Sequence, residues 1–197
     1  MIPIDVWQQS VLSAEYREKG YTIIPRLVDP EIAAEWELKH RLLPGKKVHV
    51  GGDHQALWTE QTFSDPSQAM DGLAVADWFI DLISRITGLN TIERNLAQVW
   101  INRYGPGDHV PTHCDRSGSA QILLCLQGLL EPEKGGDLII RDDSVPLRAG
   151  DAALFFARGV PHGTLPIGSA KVGASGFSRV TCVIRLFTLK DSEGAFL

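Results

Sequence analysis

The sequence predicts an α+β chain that is mainly β. Helices of the first half pack on one face of an all-β sandwich or jelly roll built by the second half. Three observations carry this reading. In the first ~90 residues apolar side chains recur at helical spacing, as in Trp78, Phe79, Leu82, Ile83 and Ile86. From about residue 97 the pattern changes to short runs rich in β-branched and aromatic residues. Gly, Pro and Asp clusters separate those runs: Gly105-Pro106-Gly107, Gly135-Gly136, Gly150-Asp151 and Gly159-Val160-Pro161.

Taken in order, residues 5–19 read as a helix, with Val6, Trp7, Val11, Leu12 and Tyr16 on overlapping faces and Gly20 as the stop. Tyr21-Thr22-Ile23-Ile24 reads as a short strand. Asp29-Pro30-Glu31 opens a helix with a capping carboxylate, proline at the first position and an acid in the first turn. That helix is expected to reach Leu43, before Pro44-Gly45. The 78–86 helix ends at Gly88, and strands are expected over 98–104, 120–126, 137–141, 152–156 and 179–189. Trp7, Trp36 and Trp78 sit on helices and are expected in the core, whereas Trp58 falls in a loop or strand ahead of the β-region. Lys39, His40, Arg41, Lys46, Lys47 and His49 form a basic cluster, read as a solvated helix C-terminus whose cations suit the dipole. Residues 168–178 are small and polar and read as a mobile loop.

The length, 197 residues, fits a single domain with its own core. With 44% hydrophobic and 22% charged residues, disorder, collagen-like repeats and coiled coil are excluded as the dominant state. Lys+Arg number 19 and Asp+Glu 24, a net charge of −5, which argues against dedicated binding of duplex DNA. No apolar run reaches the roughly 20 residues of a membrane span. Met1-Ile2-Pro3-Ile4-Asp5 has neither the basic nor the apolar region of a signal peptide. Cys114, Cys125 and Cys182 are far apart and form no CxxC pattern, so a reducing cytoplasm is expected. No feature of the sequence speaks to oligomeric state.

The chemistry concentrates in His113-Cys114-Asp115 and in His162, 47 residues after Asp115. In an extended segment residues two apart point to one side, so His113 and Asp115 present an imidazole and a carboxylate together. Two His and one carboxylate on one face form the open triad of non-haem Fe(II) oxygenases, although such a set also holds catalytic zinc. Cys114 should then point away. His109 is not expected to be a ligand, because Gly105, Pro106, Gly107 and Pro111 forbid the helix that would align it with His113. Asn102, Tyr104 and Trp100 share one face of the preceding strand. On the final strand Arg179, Thr181, Val183 and Arg185 share one face, and Val180, Cys182, Ile184 and Leu186 the other. A stripe of two arginines and a threonine suits a dicarboxylate, which guanidinium binds through paired charge-assisted bonds.

Asn102-Arg103-Tyr104-Gly105-Pro106-Gly107, His113-Cys114-Asp115, His162, Arg179-Val180-Thr181 and Arg185 together resemble the Fe(II)/2-oxoglutarate-dependent dioxygenase superfamily. The motif spacing is nearest to its AlkB-like branch, and the resemblance spans residues 98–187. Gly135-Gly136-Asp137-Leu138 and Ala149-Gly150-Asp151-Ala152 resemble the superfamily's strand-linking turns. The resemblance implies a cupin-like double-stranded β-helix core over residues 96–190, with residues 1–95 as a helical or lid region of the same domain. It implies Fe(II) held by His113, Asp115 and His162. It implies 2-oxoglutarate paired through its distal carboxylate with Arg179, helped by Tyr104 and Thr181, and met nearer the metal by Asn102 and Arg185. With O₂ as the third reactant, decarboxylation to succinate is coupled to hydroxylation, desaturation or demethylation; a carboxylate ligand, Asp115, argues against halogenation.

The chain departs from the nucleobase-repairing members just after the H-x-D, where an acidic residue is replaced by Arg116. With the acidic net charge, this favours a small-molecule substrate over nucleic acid, with Trp58, Trp100 and Arg116 as candidate contacts. The competing readings are an AlkB-like demethylase of nucleic acid or protein, and a non-catalytic metal-binding jelly roll.

Overall fold

The computed structural model describes residues 5–50, 56–128, 135–168 and 176–189. Most of the segment expected to be a mobile loop, 169–175, lies outside them. Helix α1 (Val6–Lys19) begins in a capping box: the Asp5 carboxylate accepts from Gln8 N at 2.8 Å, and the Gln8 side chain accepts from Asp5 N at 3.1 Å. Gly20, at φ 78°, ends it in the left-handed conformation that favours glycine. Strand β1 (Tyr21–Ile24) follows, and Asp29 caps α2 (Pro30–His40).

That second helix ends three residues short of Leu43, because a hairpin absent from the sequence-based expectation follows. Its strands are β2 (Lys46–Val50) and β3 (Ala56–Phe63). Lys39, His40 and Arg41 do stand at the C-terminus of α2, as expected, but the hairpin takes the rest of the basic cluster out of the helix end. Lys46 and Lys47 stand on a strand, Arg41 pairs with Glu37 at 2.8 Å, Lys39 pairs with Asp71, and His40 is buried. Then come α3 (Asp77–Thr87), β4 (Gln98–Tyr104), β5 (Val110–His113), β6 (Ala120–Gln127), β7 (Leu138–Ile140), β8 (Asp143–Val145), β9 (Ala152–Phe155), β10 (His162–Thr164) and β11 (Arg179–Leu186).

Among the described residues all strand pairs are antiparallel. They form one sheet in the order β1-β9-β6-β11-β4-β3-β2 and a second in the order β5-β10-β7-β8. Alternation divides the large sheet's side chains between two environments. Val99, Ile101, Ile122, Leu124, Cys182 and Ile184 bury under the helices, against Leu12, Trp36, Phe79 and Ile83. Leu123, Cys125, Ala153, Phe155 and Val183 face the small sheet and pack on Leu138 and Ile140. The helices therefore cover one face, as expected, and leave the inter-sheet face to the site.

Trp36 is in the core and donates to Asp71 Oδ2 at 2.7 Å, while Trp78 packs half-buried against that core. Trp7 corrects the expectation: it is 73% exposed, because Leu12 alone among the α1 residues is buried and the contact line is too narrow to reach Trp7. The hairpin is tied to α2 by Arg103, whose buried Nη2 donates to His40 O at 2.7 Å and Gln61 Oε1 at 2.8 Å. Among the described residues no helix is long and apolar enough to cross a membrane.

Candidate active site

Pairing of β5 with β10 places His113 directly opposite His162, and their rings lie 4.5 Å apart. Asp115 follows two residues beyond β5. Its Oδ1 lies 3.9 Å from His113 Nε2 and its Oδ2 lies 3.5 Å from His162 Nε2. Each imidazole sets its Nδ1 against the carbonyl two residues upstream, Pro111 O at 2.9 Å and Val160 O at 3.0 Å. A donor at Nδ1 leaves the Nε2 lone pair free, so both rings offer Nε2 to the same point. One ligand atom from each of the three residues lies within 4.8 Å of the others.

The charges suit a cation there. Burial holds the His162 pKa below its ordinary value, so the ring is kept neutral and able to ligate. Arg185 donates from Nη2 to Asp115 Oδ1 at 2.6 Å, while buried Asp115 Oδ2 has no hydrogen-bond partner. One carboxylate oxygen is thus anchored and the other, facing the histidines, is left for a metal. A buried acceptor without a partner costs about 1–3 kcal/mol, so this one fits a ligand role.

The three residues line a cavity of about 840 Å³ between the sheets. The register of β11 against β4 sets Arg179 opposite Tyr104, Thr181 opposite Asn102 and Val183 opposite Trp100, so the polar stripe faces the inter-sheet space. Asn102, Tyr104 and Thr164 form the cavity wall, and Arg179 and Thr181 lie buried behind them. The Arg179 guanidinium sits 5.8 Å from the Tyr104 ring centre, donating from Nη1 to Gly136 O at 2.5 Å and leaving Nη2 unpaired. Burial pushes the Tyr104 phenol upward, opposed by Arg179 and by the nearby Thr164, Asn102 and Thr181 groups. Yet Asn102 Oδ1 and Thr181 Oγ1 are left without a well-aligned partner. Polar atoms left over on one face of an otherwise apolar core are what a polar ligand would complete.

Arg185 also donates from Nε to Gln121 Oε1 at 3.0 Å and lies over Trp100 at 5.0 Å. Trp58, Trp100 and Arg116 all line the cavity. Exposed Cys114 borders the cavity too, but it is not among the three converging groups. His109 stands outside them, as expected.

Among the wall residues that were not foreseen, two are polar groups beside the candidate ligands and the cosubstrate strand. Gln121 is buried with Nε2 3.4 Å from His162 Nε2, and its signal was an amide at the head of the apolar run Ile122 to Leu126 of β6. Glu60 lies on the unforeseen hairpin, beside Asn102 in register.

No protein-family model matches the chain, and no curated protein matches it by sequence. Solved structures do match. A Pseudomonas putida prolyl-4-hydroxylase aligns with TM-score 0.71 at 19% identity, over 91% of this chain and 98% of that one. A Trichoplax adhaerens prolyl hydroxylase, solved with a hypoxia inducible factor peptide fragment, aligns with TM-score 0.71 at 15% identity over 97% of both chains. HygX from Streptomyces hygroscopicus, solved with nickel and 2-oxoglutarate, aligns with TM-score 0.68 at 12% identity, over 95% of this chain and 88% of that one. At these identities the likeness establishes the fold: the jelly roll is the one these 2-oxoglutarate oxygenases share.

Proposed function

We propose that the protein is an Fe(II)- and 2-oxoglutarate-dependent oxygenase acting on a small molecule. The observation that carries this reading is the convergence of His113 Nε2, His162 Nε2 and the unpartnered Asp115 Oδ2 on one wall of the inter-sheet cavity. The neighbouring structures support it, since their shared fold is used by prolyl hydroxylases and by an α-ketoglutarate-dependent epimerase. In this reading residues 96–190 are the catalytic core and residues 1–95 the covering part of the same domain, working in the cytoplasm.

His113, Asp115 and His162 would hold the metal. With 2-oxoglutarate and O₂ the iron supplies oxidation of a substrate C–H bond, as the cosubstrate loses CO₂ to become succinate. Pro111 O and Val160 O keep the two rings in the ligating tautomer, and Arg185 holds Asp115 Oδ1 so that Oδ2 faces the metal. Tyr104, Asn102 and Thr181 orient the cosubstrate, and Arg179 supplies the countercharge for its distal carboxylate from behind Tyr104. Arg185 adds positive charge at the metal end. Leu123, Leu138 and Val183 line the same cavity and exclude water. Trp58, Trp100 and Arg116 contact the substrate.

The motif spacing around Asn102 to Asp115 keeps an AlkB-like demethylase as the second reading; Arg116 and the net charge weigh against it. The test is an anaerobic absorbance titration with Fe(II) and then 2-oxoglutarate. A weak visible charge-transfer band requiring both additions, and lost in His113→Ala, is expected. With no band and no calorimetric binding, a non-catalytic metal-binding jelly roll would replace the oxygenase. Arg179→Ala should weaken 2-oxoglutarate binding sharply while sparing iron; unchanged cosubstrate affinity would remove Arg179 from the site.

A further inference from the structure

Among the described residues, four formally charged side chains line the cavity besides the histidines: Glu60, Asp115, Arg116 and Arg185. Asp115 and Arg185 neutralise each other at 2.6 Å. Glu60 and Arg116 remain, and among the described residues neither has an ionic partner; Lys46, directly across β2 from Glu60, does not pair with it. The two stand on different walls, Glu60 on β3 of the large sheet and Arg116 on the segment leaving β5 of the small sheet.

A free carboxylate beside the cosubstrate wall cannot serve a dicarboxylate, which it repels. It needs a cationic or N–H-bearing partner. Its surroundings suit one: Trp58 lies two residues away on the same face and donates from Nε1 to Glu60 Oε2 at 3.4 Å, which steadies the carboxylate and keeps an aromatic side chain beside it. Arg116 offers a solvent-facing guanidinium to an anion. We propose that the cavity selects a zwitterionic small molecule of amino-acid type, its ammonium on Glu60 beside Trp58 and its anionic end on Arg116. The inference rests on the oxygenase reading and adds the substrate class to it.

Four probes with one carbon skeleton test it: 6-aminohexanoate, hexylamine, hexanoate and hexan-1-ol. Each is titrated by calorimetry, under nitrogen, into protein loaded with Fe(II) and 2-oxoglutarate. In the wild type 6-aminohexanoate should bind at least about tenfold more tightly than hexan-1-ol. Glu60→Gln should weaken hexylamine and 6-aminohexanoate by about tenfold and leave hexanoate unchanged; Arg116→Gln should weaken hexanoate and 6-aminohexanoate and leave hexylamine unchanged. A series in which the ammonium confers no advantage, including one in which no probe binds, overturns the inference, as does a Glu60→Gln protein that binds hexylamine like the wild type. The charge-transfer band is read in the same samples. Its presence beside an unselective series removes only the zwitterion assignment, whereas its absence in the wild type removes the oxygenase reading and this inference with it.

Discussion

Gly163 lies between His162 and Thr164 on β10, with the backbone of β5 against it. A Cβ at this position would stand 2.7 Å from Val110 O, 3.0 Å from Thr112 N and 3.1 Å from the Pro111 carbonyl carbon. All three are main-chain atoms, so no side chain can swing away. Restoring ordinary contact requires about 0.7 Å or more of strand displacement. Because β5 is an edge strand of the small sheet, it is the element free to move, and it carries His113. Gly163→Ala should therefore destabilise the fold by about 2 kcal/mol, or about 4–8 °C in Tm for a chain of this size. Metal-ligand distances tolerate only about 0.2 Å, so Co(II) or Fe(II) affinity should fall about tenfold or more. Thermal unfolding of the metal-free protein and anaerobic calorimetry with Co(II) measure the two effects. Gly105→Ala is the control, since its Cβ meets only Asp108 Oδ2, at an ordinary 3.6 Å. A Gly163→Ala protein with unchanged Tm and a metal Kd within about twofold of wild type would refute the claim that β5–β10 packing sets the ligand geometry.

Three further outcomes are expected. Arg103→Met leaves His40 O and Gln61 Oε1 without their buried donor and should cost about 2 kcal/mol in urea unfolding; an unchanged midpoint contradicts the cross-tie. Trp7→Ser should change stability by no more than about 0.5 kcal/mol, whereas Trp36→Ala should cost about 3–5 kcal/mol, and equal losses would contradict the burial of α1 and α2 described above. Burial, with Lys39 nearby, lowers the His40 pKa, and neither ring nitrogen has a hydrogen-bond partner. Below the unfolded value of 6.5 the unfolded chain then binds a proton that the folded one refuses, so stability is lost as pH falls from 6.5 towards the folded pKa. His40→Phe should flatten that slope relative to wild type, and parallel curves would show that His40 does not titrate in this way.

Much was legible locally. Gly20 closes α1, Asp29 and Pro30 open α2, and Gly88 closes α3, because caps and left-handed glycines act within a turn of the residues they terminate. The strand β4 spans the expected residues, and the two-residue alternation of β11 correctly separated the face of Arg179, Thr181, Val183 and Arg185 from that of Val180, Cys182, Ile184 and Leu186. The hairpin β2–β3 was missed because Lys46, Lys47, Thr59, Glu60 and Thr62 break any clean apolar alternation; one flank borders the cavity and is polar for that reason. Glu60 was missed along with its strand. Trp7 was misplaced because helical spacing states which residues share a face and not how wide a contact the sheet provides.

The sequence by itself determined that His113 and Asp115 share a side, that Asn102 and Tyr104 do likewise, and that a polar stripe runs along β11. Each follows from the two-residue period of an extended chain, a property of neighbouring residues alone. Only the tertiary structure decided that β10 lies beside β5 with His162 opposite His113, that Arg185 takes one oxygen of Asp115 and leaves the other, and that Arg179 stands behind Tyr104. These depend on strand order and register between segments far apart in the chain, which are settled by burying both faces of the large sheet at once, under the helices and against the small sheet.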